Sequence, residues 1–456
     1  MRTSRFVCAF LTLAACAHHH SGDESDGGGD LDGTPDACVG LACDVVDCQM
    51  KGEPDTTISG TVYAPNGTLP LYGINVYVPT VPLDPLPDGV TCGQCAAGLP
   101  GNPISSATTD EAGHFVLDNV PATTNLTVVI ESGKWRKTIT VPNVAACQDM
   151  PLATTDTTLP RNKSEGNMPQ IAITTGNADA LECLVRKLGI DDTEITTDTQ
   201  GGKVNLFADT SVGGVGAKQF ASGFTGGSGA FSDAQTLWND PTKLAQYDIV
   251  MFSCEGGQYP DSKPQSAMQN VHDYAGIGGR VFMSHWHNIW VGGEENHPDH
   301  GLPDWESVGT FDYGAAQDQE NTTASVDTTV SKGMSFQTWL VNVGASTTPG
   351  QIPISGARYT LAANDPSKSD RRVYLDPTLS NNHVSVQDLQ FTTPQDVDEN
   401  SRCGKVVFSD MHVSSGSSSS PNTPYPGGCA TGDLSPQEKA LAFIFFDISS
   451  CVGVIP

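Results

Sequence analysis

Four short runs in the second half of the chain hold most of the side chains that could do chemistry. They read Thr174-Thr175-Gly176-Asn177, Ser253-Cys254-Glu255-Gly256-Gly257, Ser284-His285-Trp286-His287 and Ser409-Asp410-Met411-His412. Together they offer a thiol, hydroxyls, carboxylates and imidazoles, the groups of nucleophilic and general acid–base catalysis. Cys254, Glu255, Ser284, His285, Asp410 and His412 are therefore the candidate catalytic residues, and Asn177 and Trp286 the candidate ligand-binding ones. His285 and His287 are two apart, so they share a face if a strand continues that far. With His412 arriving from another strand end, His285 and His287 form a candidate metal set, most simply for zinc. Glu255 or Asp410 would then supply a carboxylate ligand or a base. The plainer reading is that strand-end histidines are hydrogen-bonded structural groups. Cys254 is the candidate unpaired thiol, with a bridge to Cys403, Cys429 or another loop cysteine as the alternative.

Each run follows a segment with the pattern of a buried strand. Ile171-Ala172-Ile173 precedes the first, residues 248–252 the second, 280–283 the third and 405–408 the fourth. A further strand is expected over 204–207. Between them lie helical periods. Asn177 is placed to cap a helix with Leu181, Leu184, Val185 and Leu188 on one side and Gly189 closing it. A second helix is expected over 264–275. Ser435-Pro436-Gln437-Glu438 has the order of a capping box with Pro at the first helical position. The helix it opens is apolar nearly all round, so it must be buried. Strand–helix alternation of this kind predicts a mostly parallel, doubly wound sheet over 169–456, whose ligands sit beyond the carboxyl ends of the strands. Residues 302–402 interrupt the alternation with short strand-like pieces and read as a largely β insertion.

The first half has another period. Residues 56–150 alternate in short strands separated by turns such as Pro65-Asn66-Gly67, which predicts a small all-β sandwich. The Thr- and Pro-containing stretch 151–168 reads as a linker, making the chain multidomain. Cys92-Gly93-Gln94-Cys95 lacks a second Cys or His pair at zinc spacing and reads as structural. His114 is expected to face solvent in a hairpin turn.

Two resemblances sharpen this picture. Gly60-x-Val62, Pro65-x-Gly67 and Val76-x-Val78 lead into Thr108-x-Asp110-x-x-Gly113-x-Phe115 and Val120-Pro121, which together look like the carboxypeptidase regulatory-like domain. That resemblance implies a transthyretin-like sandwich that spaces or presents, with no active site of its own. Tyr247-Asp248-Ile249-Val250, Gly256-Gly257 and Tyr274…Gly278-Gly279-Arg280-Val281-Phe282…His285 resemble the class I glutamine amidotransferase-like superfamily, nearest its ThuA-like branch. The implied fold is flavodoxin-like. The superfamily's elbow cysteine would follow the 280–283 strand between glycines, whereas this chain has Met283-Ser284-His285-Trp286 and no glycine for a strained turn. No His-x-Glu pair follows the last strand. Glutaminase chemistry is not expected, and fold alone confers no function.

The front of the chain reads as an address. Arg2 and Arg5 precede an apolar run that ends in Leu13-Ala14-Ala15-Cys16, which resembles a bacterial lipobox. Residues 1–16 are then a lipoprotein signal with Cys16 as the lipidated residue; an ordinary secretory signal is the alternative. Residues 17–55 form an acidic, Gly-rich tether with a cysteine cluster, and 17–37 should be disordered. Of thirteen cysteines, Cys8 falls in the signal and Cys16 at the lipid site; the other eleven, without repeated metal spacing, fit disulfides in an exported protein with at least one free thiol or intermolecular bridge. With 23 Lys+Arg against 52 Asp+Glu, the net charge of −29 excludes nucleic acid as a partner. The expected location is the cell envelope, at the outer membrane or cell surface, with membrane contact through the lipid alone.

Three classes of function remain. The first is a surface-tethered binding or structural lipoprotein whose α/β domain takes a carbohydrate or cell-wall fragment, with Trp286, Trp290 and Trp305 as an aromatic rim. The second is a hydrolase with a His/Glu strand-end site, with or without metal. The third is an interacting protein with a decayed site. The first is the reading the sequence favours.

Overall fold

The parallel strands of the second half end level with one another, and this register assembles the candidate residues. In the computed structural model, which describes residues 38–210, 216–297, 300–381, 383–413, 423–453 and 455, Phe252 lies opposite both Thr174 and Met283. Met283 lies opposite Phe408, and Ser284 opposite Ser409. Ile249–Phe252 and Arg280–Ser284 are buried along their whole length, as an apolar strand covered on both faces must be. The signal segment, Cys16 and the 17–37 tether lie outside the described residues.

The main sheet runs Ser232–Asp233, Val204–Ala208, Ile171–Thr174, Ile249–Phe252, Arg280–Ser284, Gly404–Ser409, Ser385–Thr393, Asp370–Leu375, Gln319–Val326 and Gln351–Arg358. Neighbours are parallel as far as Gly404–Ser409 and antiparallel beyond it. The chain is thus a mixed α/β protein with several sheets. The expected insertion at 302–402 does not stand apart: its strands extend the parallel sheet, with Leu389 paired to Phe408. Its polar residues suggest turns, yet every residue of Ser385–Thr393 is buried. Several of its polar groups find partners, while Gln387 Oε1 and Asp388 Oδ2 have none among the described residues. Gln390 accepts from Arg372 at 2.9 Å, and Gln387 donates to the Arg358 carbonyl at 2.6 Å.

The helix Pro436–Ser449 packs beneath this sheet. Its capping box forms as read, with Ser435 Oγ accepting from Glu438 N–H and the Glu438 carboxylate accepting from Ser435 N–H. The helix expected to start at Asn177 instead spans Leu181–Lys187. Residues before it are held as extended loop by the neighbouring strand end, where Ala178 N–H donates to the Cys254 carbonyl at 2.9 Å. Gly176 lies so close to that carbonyl that a Cβ would collide with it. Among the described residues no helix is long and apolar enough to cross a membrane.

Upstream, a three-stranded sheet (His114–Leu117, Thr57–Thr61, Asp149–Pro151) and a four-stranded one (Pro103–Thr108, Asn75–Pro79, Thr124–Ser132, Trp135–Asn143) share a core. Ile58, Val76, Phe115, Leu126 and Val128 fill it, while His114 is exposed in its turn. The same apolar cluster continues into the α/β part through Trp135, Leu159, Met168, Phe443 and Phe446. Residues from Gly40 to Pro456 accordingly pack as one compact unit. Described disulfides join Cys48–Cys147, Cys92–Cys403, Cys95–Cys451 and Cys183–Cys429, and Cys38 and Cys43 are disulfide-bonded as well.

Two buried carboxyls set an expected pH response. Burial raises Glu182 to about 8, helped by Asp179 and Asp209, and raises Asp388 to about 7, against the pull of Arg372. A carboxyl whose folded value is raised binds more protons folded than unfolded, so its contribution falls once pH climbs past the unfolded value. The melting temperature of the wild type relative to a Glu182→Gln variant should therefore decline from about pH 5 to about pH 8, a difference in which the opposite trend of the buried histidines cancels. A difference that grows through that window would contradict the placement of Glu182.

Candidate functional site

The rim made by the strand ends brings some of the expected residues together and separates others. Cys254 follows the end of Ile249–Phe252, and its Sγ lies 3.4 Å from His285 Nδ1. His285 Nε2 lies 2.9 Å from the Ala316 carbonyl, so that nitrogen carries the proton and Nδ1 faces the sulfur as an acceptor. The His412 ring centroid is 5.0 Å from that of His285. One ligand atom from each of Cys254, His285 and His412 falls within 4.8 Å of the others. Cys254 is the free cysteine among the described residues.

His287 does not join them. The strand stops at Ser284, and His285–Asn288 turns into a short 3-10 helix, so strand alternation no longer applies. His285 takes φ +41, a left-handed conformation that a non-glycine residue rarely adopts. A strained turn therefore exists here without the glycines the sequence reading required. The bonds to Cys254 and Ala316 anchor the ring on both nitrogens and hold the residue in it. His287 is directed instead against the Phe252 ring, 5.2 Å between centroids, with Nδ1 accepting from Trp290 Nε1–H at 2.8 Å. Of the expected metal set, His285 and His412 come together while His287 does not, and Cys254 is the third side chain of the cluster.

Burial governs the ionisation of these groups. It pushes the Cys254 thiol up to about 12 and holds His285 well below its usual range, with His412 and Arg358 adding to the effect. Burial likewise lowers His287 and His412 to about 3. Asp410 is raised to about 7 by burial, and its Oδ2 accepts from Leu361 N–H at 3.2 Å. Ser284 Oγ donates to Asp179 Oδ2 at 2.5 Å, so it is engaged rather than poised.

Glu255 belongs to a second buried group. It pairs with Lys263 at 2.5 Å and accepts from Thr210 N–H at 2.9 Å, while His287 Nε2 is 4.0 Å away. Burial pushes its carboxyl up, but the ion pair with Lys263 and the bond from Thr210 N–H outweigh this and leave it lowered. Asn177 is half-buried beside Gly256. Trp286 packs with Cys254 and Ala316. Trp290 and Trp305, expected at an aromatic rim, are core residues at 2% and 0% exposure. Their neighbours are aromatic side chains such as Phe252 and Phe391, which pack more area than a solvent-facing stack would leave.

Sequence reasoning missed Asp179, Lys263, Ala316 and Arg358. Asp179 stands two residues after Asn177, close enough to the strand end to have been considered. Ala316 and Arg358 reach the site only because the 302–402 segment extends the sheet, which no local pattern announces. A cleft of about 560 Å³ lies elsewhere: Tyr72, Leu86, Pro87, Leu99 and Pro100 line it, beside Ile249 and Arg280 at the amino ends of the strands.

No protein-family model matches the chain, and no curated protein matches it. Among solved structures, a ThuA-like protein from Bacteroides uniformis aligns at 11% identity and TM-score 0.28, over 60% of this chain and 88% of that one. A cytoplasmic protein from Salmonella typhimurium aligns at 12% identity and TM-score 0.26, over 54% and 87%. A chain of a type II cohesin–X-dockerin complex from Acetivibrio cellulolyticus aligns at 18% identity and TM-score 0.16, over 32% and 79%. Likenesses at TM-scores this low assign neither a fold nor a function.

Proposed function

We propose that the chain is an exported binding protein, anchored to the cell envelope by a lipid on Cys16 and displayed at the outer membrane or cell surface. On this reading the N-terminal sandwich is a carboxypeptidase regulatory-like spacer. The α/β part is a divergent ThuA-like relative in which His285 stands where an amidotransferase would place its cysteine. The observation that carries the binding reading is the sealing of the strand ends. Cys254 and Ser284 are both at 0% exposure, and the Ser284 hydroxyl is committed to Asp179. A hydrolase needs a nucleophile that substrate can reach. The ten described cysteines held in disulfides support export to an oxidising compartment.

The cleft of about 560 Å³ is of small-ligand size. Tyr72, Leu86 and Pro87 line it together with Asn75, Thr91 and Thr108, and its charged residues are engaged within the protein, Lys134 with Asp248, Glu131 with Arg136, Lys332 with Asp447 and Arg280 with main-chain carbonyls, which leaves hydrogen-bonding and apolar surface for a polyhydroxylated ligand such as a cell-wall sugar. The full exported chain should bind cell-wall glycan fragments saturably and turn over no ester or amide. Tyr72→Ala should weaken that binding by about tenfold, the scale of one lost aromatic contact. Turnover in an ester and amide panel, or no glycan binding at millimolar concentrations, would remove this reading. A second reading is a hydrolase. The observation favouring it is the contact between Cys254 Sγ and His285 Nδ1, the pairing of a cysteine nucleophile with its base. The same panel decides between the two.

A further inference from the structure

We propose that Cys254, His285 and His412 form a binding site for a thiophilic d10 metal ion, Zn2+ first and Cu+ second. The inference rests on reading the strand ends as a binding centre rather than a reacting one. Three observations point the same way. The donor set is one sulfur and two imidazole nitrogens on three separate strand ends, with ligand atoms within 4.8 Å of one another. In a tetrahedral zinc site the sulfur-to-nitrogen edge is about 3.6 Å. Cys254 Sγ and His285 Nδ1 are already 3.4 Å apart.

The second observation is how the donors are supported. A metal-bound histidine donates its other ring N–H to a carbonyl or carboxylate, which fixes the tautomer and aims the free nitrogen. His285 does this, with Nε2 against the Ala316 carbonyl at 2.9 Å and Nδ1 toward the sulfur. The left-handed backbone at His285 is the distortion that brings its ring into this position.

The third observation is His412 Nε2. It is buried and has no hydrogen-bond partner among the described residues, while the residue's own carbonyl is fixed by Gln437 Nε2 at 2.6 Å. A buried, unpartnered nitrogen is costly unless something binds it. An ion here would bond to it directly. As the metal–sulfur bond forms, the Cys254 thiol proton leaves to solvent, and the bound charge falls from two to one for Zn2+. A soft sulfur with two imidazoles selects zinc or copper(I) over magnesium or calcium, which require oxygen ligands.

The test uses the full exported chain made in zinc-, copper- or cobalt-supplemented medium. We expect about one zinc or one copper per chain after dialysis. The cobalt form should show a near-ultraviolet thiolate-to-cobalt charge-transfer band. Cys254→Ser is nearly isosteric and should fold, yet lose the band and at least about tenfold of the metal. His412→Ala should lose the metal while its Cys254 thiol is still fully modified by iodoacetamide after unfolding. Metal below about a tenth of an ion per chain in the wild type, or equal metal in Cys254→Ser, would overturn the site. A chain that holds metal and also hydrolyses the ester and amide panel would overturn the binding reading and leave the site standing. A metal-free chain that binds glycan and hydrolyses nothing would overturn the site alone.

Discussion

Replacing Asp447 by Ala should destabilise the chain by about 3–5 kcal/mol, the range for removing one partner from a buried ionic cluster. Asp447 lies on the buried helix Pro436–Ser449 and faces three cations across the sheet. It pairs with Lys405, with Lys332 at 2.5 Å and with Arg372 at 3.4 Å. Lys405 and Arg372 are themselves at 3% and 1% exposure, so water cannot take over the carboxylate's place. Burial alone would raise the Asp447 carboxyl, but Lys332, Lys405 and Arg372 hold it well below the usual range. Its contribution is thus present above the unfolded carboxylate value and lost as pH falls through the folded one. Urea unfolding of the variant at neutral pH measures the loss. A change below about 1 kcal/mol would mean that the cluster is wet or differently paired.

Removing the bridges Cys92–Cys403 and Cys95–Cys451 together should cost about 4 kcal/mol or more, since single native bridges commonly contribute 2–5. These two tie the loop after Asn75–Pro79 to the far end of the chain, across sequence separations of 311 and 356 residues. Loops that long gain the most from closure in the chain-entropy account. The loop also forms one wall of the large cleft, through Leu86, Leu99 and Pro100. The quadruple Ser variant should therefore melt earlier and also lose the glycan binding proposed for the cleft. A variant that keeps both melting temperature and ligand affinity would show that the loop is held by its hydrogen bonds alone, such as Gln94 to the Asn400 carbonyl.

Much of the fold was legible because its signals are local. The apolar runs at 171–173, 249–252 and 280–283 became buried parallel strands, and Ser435 with Glu438 formed the capping box their spacing announced. The strand-end rule puts Cys254, Glu255, His285, His287, Asp410 and His412 on one rim, of which Cys254, His285 and His412 come together. What was not legible depended on backbone geometry and on distant sequence. One residue of left-handed backbone at His285 turned His287 away, and residue type does not encode that turn. The polar strand Ser385–Thr393 looked like surface because alternation cannot reveal partners such as Arg372, which lies on the neighbouring strand. The tryptophans illustrate the same limit: Trp286 lies against the site while Trp290, four residues on, lies in the core.

The central claim is that the strand ends hold a sealed donor centre rather than a reactive nucleophile, and alkylation of Cys254 tests it most directly. The native, exported chain would be treated with iodoacetamide, with and without prior unfolding, and the Cys254 peptide followed by mass spectrometry. The account predicts no modification of Cys254 in the native chain over hours and complete modification after unfolding, because the sulfur is at 0% exposure. Native Cys254 reacting as fast as free cysteine, or faster, would contradict it and return the hydrolase reading to first place.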